Sequence, residues 1–88
     1  MADKECMQMI YRTFELLSNI DELNSRIDSY RHLKTEHPGR WDWFILRREE
    51  IESGEHPDEE LHHWDRQLSE SKNELRSLVN RFNEQCVR

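Results

Sequence analysis

Glycine and proline are almost missing from this chain of 88 residues, which has two of each, at Pro38-Gly39 and at Gly54 and Pro57. With so few breaks, the chain divides into a first segment of about 33 residues, a middle one of about 15 and a last one of about 30. Long apolar runs are absent as well. Nothing approaches the roughly 18 apolar residues of a membrane span, and the opening MADKECMQ has no apolar stretch behind a basic start. The expectation is a soluble, cytoplasmic protein with no membrane association. Cysteine is scarce. Cys6 and Cys86 form no metal or redox spacing, and in a reducing compartment they are expected to be free thiols.

Bulky apolar residues are also few. Leu, Ile, Val and Phe number 19 of 88, and all apolar types together reach 34%, against roughly 45–50% in ordinary globular domains. One small domain spanning residues 1–88 is expected, because the chain is too short for two cores and barely rich enough for one. Its fold must come from long, regularly patterned helices, with room for another chain to supply part of the core.

That pattern is present. Cys6, Met9, Thr13, Leu16, Ile20, Leu23, Ile27 and Tyr30 fall on alternating spacings of three and four, a heptad seam with only Thr13 polar. Ile10, Phe14 and Leu17 widen it, so the N-terminal half is expected to bury a broader face, with Met7, Tyr11 and Phe14 in the core. Asp3 is the expected N-cap, and Glu22 with Arg26 a favourable i,i+4 pair. A second seam runs through Leu61, Trp64, Leu68, Leu75, Leu78 and Phe82, interrupted by Ser71. It is preceded by His56-Pro57-Asp58-Glu59-Glu60, which reads as a cap, a proline at the first helical position and acids in the first turn.

The spacing thus predicts an all-α fold with helices over about 3–35, 40–53 and 57–86. The outer two, roughly 50 and 45 Å long, form a coiled-coil-like antiparallel hairpin, with a short aromatic-rich middle helix completing a small helical bundle. An arrangement in which the middle helix folds back fully and the outer helices run parallel is the alternative. Matching lengths favour the antiparallel one, which brings Cys6 and Cys86 to the same end.

The middle segment concentrates bulk: Trp41, Trp43, Phe44, Ile45 and Leu46 point around almost the whole circumference of a helix, so no single face holds them. One side is expected to pack on the long pair and another to present aromatic surface to a partner. Tryptophans beside the arginine pair Arg47 and Arg48 have the composition of interface hot spots. Charge is concentrated just beyond. Glu49, Glu50, Glu52, Glu55, Asp58, Glu59, Glu60 and Asp65 lie within 17 residues without a lysine or arginine, while the whole chain carries −6. The run reads first as a solvated junction whose acids favour the start of the last helix. Its second reading is a docking surface for a basic protein, including one that itself binds nucleic acid. Direct nucleic-acid binding is disfavoured, because the basic residues are scattered.

Chemistry has little to work with. His32, His37, His56, His62 and His63 match no zinc spacing, although protonating the last three would offset junction charge. No nucleophile with an identifiable base and no phosphate-cradling glycine loop occurs, and no family motif is recognisable. The expected function is therefore non-enzymatic and cofactor-free: binding a larger protein and blocking or bridging it, as an inhibitor or adaptor would. Trp41, Trp43, Phe44, Arg47 and Arg48 would anchor, and Glu49, Glu50, Glu52, Glu55, Asp58, Glu59 and Glu60 would steer. The alternative is a self-associating structural subunit of a helical-bundle or coiled-coil assembly, with a homodimer as the expected state.

Overall fold

The computed structural model describes residues 2–87, and among them all regular structure is helical. Helix α1 spans Ala2–Glu36, α2 spans Pro38–Leu46 and continues through a single turn of π-helix at Arg47–Ile51, and α3 spans Pro57–Cys86. Because α1 already runs through Asp3, that residue lies inside the helix and not at its cap.

The two long helices pack along their length as an antiparallel hairpin. Its register is marked by cross-helix ion pairs at Arg12–Glu74, Arg31–Asp65 and Lys34–Asp58, with N···O separations of 2.9, 3.1 and 2.8 Å. Exposed pairs of this kind contribute little energy and act mainly as markers of alignment. The molecule measures 55 × 25 × 15 Å. Its radius of gyration of 18.2 Å is well above the roughly 12 Å of a compact domain of this length, as expected of a rod two helices wide.

At the open end the hairpin is closed covalently: Cys6 and Cys86 form a disulfide across Cα atoms 6.0 Å apart. This corrects the expectation of free thiols. The two cysteines are at nearly equal distances from the turn, so antiparallel pairing brings residues 80 positions apart into bonding range.

The heptad seam of α1 supplies the core. Met9, Leu16, Ile20, Leu23 and Ile27 are buried, and among the described residues Trp41 of α2 is the one further large apolar side chain to join them. Thr13 fits the seam by donating its hydroxyl to the Met9 carbonyl, 2.7 Å away, which leaves its methyl for packing. The α3 seam is less complete: Leu61, Trp64, Leu68, Leu75, Leu78 and Phe82 are all only half-buried. The widened N-terminal face is corrected as well. Met7, Tyr11, Phe14 and Leu17 are exposed, because a two-helix hairpin can cover only the stripe that faces its partner, and the adjoining stripe on α1 has no third element over it.

The breaks are local. His37 alone separates α1 from α2, with Pro38 in the first turn of α2, where a missing N–H costs nothing. At the second break the Glu52 N–H reaches the Arg47 carbonyl at 3.0 Å, and the Gly54 N–H reaches that of Arg48 at 2.7 Å. Ser53 between them takes φ 53°, the left-handed conformation more often given to glycine at a helix end. Helix α3 then starts as its sequence announces, with Pro57 in the first turn. The Asp58 N–H donates to His56 Nδ1 at 3.0 Å.

Candidate partner-binding site at the helix junction

The aromatic bulk of the middle segment is divided between two faces. Trp41, Phe44, Ile45 and Arg48 follow the i, i+3, i+4, i+7 spacing of one helical stripe, and this stripe turns inward. Tyr30 of α1 stands at its centre, with ring centroids 5.7 Å from Trp41, 5.3 Å from Phe44 and 4.6 Å from Trp64 of α3. The first two contacts are edge-to-face, the arrangement favoured by ring quadrupoles. One aromatic cluster thus ties all three helices together, and the Lys34 ammonium lies 5.8 Å from the Trp41 ring centre.

Arg48 is the polar member of the inward stripe. It donates to Glu60 and, at 3.3 Å, to Glu52. Glu60 is the one buried charged residue of the described chain, and the Tyr30 hydroxyl donates to its second oxygen at 3.2 Å. Burial first, and the Glu60 charge second, hold the Tyr30 phenol above its ordinary pKa, and the bond to Glu60 raises that of Arg48. Three of the expected contact residues, Trp41, Arg48 and Glu60, therefore belong to the interior. A buried carboxylate needs a cation and a hydroxyl beside it, and the aromatic ring needs cover.

The opposite face of α2 looks outward. Trp43 is 58% exposed and Leu46 54%, with Ile51 at the end of the π turn 73%. The Arg47 guanidinium lies 5.7 Å from the Trp43 ring centre while its Nε donates to Glu52 at 3.1 Å. Leu46 and Ile51 were not among the expected contacts. Leu46 was legible, since it lies three residues after Trp43 and so on the same face, whereas Ile51 lies in the π turn, whose angular register α-helical spacing does not give. Phe44 is half-buried against Tyr30.

The acidic run is less bare in space than along the chain. Asp58 pairs with Lys34, Asp65 with Arg31, Glu60 with Arg48, and Glu52 with both Arg47 and Arg48. The Lys34 contact holds the Asp58 carboxyl below the usual range. Glu55 reaches His63 at 2.7 Å and Glu49 reaches His56 at 3.6 Å, while exposed Glu50 and Glu59 make no ion pair among the described residues. The acids of the run without a lysine or arginine partner among the described residues are thus a smaller set, Glu49, Glu50, Glu55 and Glu59. Among the described residues no cluster of His, Cys, Asp or Glu could hold a metal ion. Likewise, no described helix is long and apolar enough to cross a membrane.

Comparison of the chain with protein-family models, curated proteins and solved structures gives no match.

Proposed function

We propose that the chain is a non-enzymatic binding protein that engages a larger protein through the outward face of its helix junction and so blocks or bridges it. The observation that supports this is the exposure of Trp43, Leu46 and Ile51 together on a helix whose other face is locked into the aromatic cluster. A rigid platform presenting a large aromatic loses little conformational freedom on binding, which is why such residues dominate interface energetics. The junction's acids without a lysine or arginine partner, Glu49, Glu50, Glu55 and Glu59, suit a partner with a basic rim, such as a nucleic-acid-binding surface, and would speed its encounter. A state bridged by Cys6–Cys86 suits an oxidising compartment. In the cytoplasm expected from the sequence, the same pair would stand as neighbouring thiols.

The test is a photoreactive amino acid placed at Leu46 in one preparation and at exposed Ser18 in another, followed by mass-spectrometric identification of what is cross-linked in extract of the source cells. The expected result is a discrete protein at Leu46 and not at Ser18. The purified partner should then bind Trp43→Ala at least about 30-fold more weakly. Equal affinity of the wild-type chain and Trp43→Ala for that partner would overturn the proposal.

A further inference from the structure

The disulfide end of the rod has two unlike sides. On one, Glu5, Gln8, Arg81 and Gln85 line a mixed polar pocket with Met9, Leu78 and Arg12, whose guanidinium makes three hydrogen bonds to the Glu74 carboxylate. On the other, Ile10, Thr13, Phe14, Val79 and Phe82 line a groove of about 230 Å³ whose surface is almost wholly apolar. Met7 and Leu17 extend it along α1, at 47% and 42% exposure, and Phe14 stands out of it at 64%. Farther along the same α1 face, Asp21 and Asp28 are exposed in place of apolar residues, so the apolar patch is confined to the stretch next to the disulfide.

We infer that this groove is a dimer interface in which two copies of the chain overlap at their disulfide ends, each inserting Phe14 into the groove of the other, with the two helix junctions pointing away from one another. The groove has room for the ring, since a dry apolar cavity of about 150 Å³ already accepts benzene. A second copy also suits the extent of the patch. The open apolar surface is on the order of 450 Å² per chain, within the range a lone monomer exposes at functional patches. Pairing two such faces with their polar rims buries about 1,000 Å², the lower bound for a specific interface. It would cover the half-buried Leu75 and Phe82 of α3, giving that helix the core the hairpin leaves incomplete. The overlap is antiparallel because a parallel one would lay the charged remainder of this face, Asp21 and Asp28 on α1 with Lys72 on α3, against its own copy, and desolvating those charges is costly. This interface is independent of the junction surface and leaves Trp43 free in both copies.

The proposal is tested on the oxidised full chain by sedimentation equilibrium between about 5 and about 500 µM, a span set by the weak affinity of an interface this small. The mass should rise from one chain to two and stop there. Phe14→Glu and, separately, Leu17→Glu should each weaken association at least about 30-fold, with helical circular dichroism unchanged because both side chains are exposed. Trp43→Ala should dimerise as the wild type does. A single-chain mass at every concentration, a dimer indifferent to both glutamates, or one lost with Trp43→Ala would each overturn it.

Discussion

Reducing Cys6–Cys86 should take the isolated chain most of the way to unfolding. The bridge closes a loop across a sequence separation of 80 residues, and the chain-entropy relation gives about 4.5 kcal/mol of stabilisation for such a loop. A domain of 88 residues has a total stability of roughly 4–13 kcal/mol. Among the described residues six apolar side chains are buried in its core, which puts it towards the low end. The assay is urea denaturation followed by far-ultraviolet circular dichroism, at one dilute concentration, with and without reductant, and with the Cys6→Ser/Cys86→Ser chain as control. Intact mass before and after reduction reports the bond itself, since the oxidised chain is two hydrogens lighter. The midpoint should fall by about 2–4 M urea, taking a slope of about 1–2 kcal/mol/M for a chain of this size. A loss under about 1 kcal/mol with the bond verified would refute the reasoning. It would mean that the reduced chain already holds its ends together when unfolded, so that the bridge removes little loop entropy.

Trp41→Ala should cost about 3–5 kcal/mol of folding stability and Trp43→Ala no more than about 0.5 kcal/mol, although the two sit two residues apart; thermal melts of both variants check this, and equal losses would refute the division of faces. Arg48→Met leaves Glu60 buried with only Tyr30 to partner it and should cost about 3 kcal/mol, whereas Arg48→Met combined with Glu60→Leu should recover most of the loss in the same melts. Tyr30 has its pKa raised in the fold, so the stability it contributes is fully present below the ordinary value near 10 and is lost as pH rises through the folded value. Ultraviolet titration should therefore show the Tyr30 phenol ionising above that ordinary value, and Glu60→Gln should bring its transition down. Asp58 has the opposite sign: its lowered pKa means that its contribution holds above the ordinary 3.8 and is lost as pH falls through the folded value. Lys34→Met should remove that acid-side dependence from unfolding curves.

Much of the architecture is legible in the residue pattern, because helical periodicity is a local property. The α1 seam from Met9 to Ile27 is buried as its spacing announces, and α3 spans Pro57–Cys86 because proline and three acids mark its first turn. The Glu22–Arg26 pair forms as expected. The middle segment was half legible. Its bulk does divide between an inward and an outward side, but the inward stripe of Trp41, Phe44, Ile45 and Arg48 is hidden by ending in an arginine. That arginine turns in because Glu60 and Tyr30, distant in sequence, meet it there.

What the sequence determined by itself was the all-α class, the three helices and the stripe on which the long pair meets, since each rests on neighbours within a few residues. The tertiary structure alone decided which charges remain free, which aromatics are interior and that the cysteines are joined. The acids between Glu49 and Asp65 look like one uncompensated block along the chain, yet Arg31, Lys34, Arg47 and Arg48 neutralise half of them in space. Phe14 and Leu17 lie beside a buried seam but stay exposed, because periodicity shows where apolar residues align and not how many helices are present to cover them.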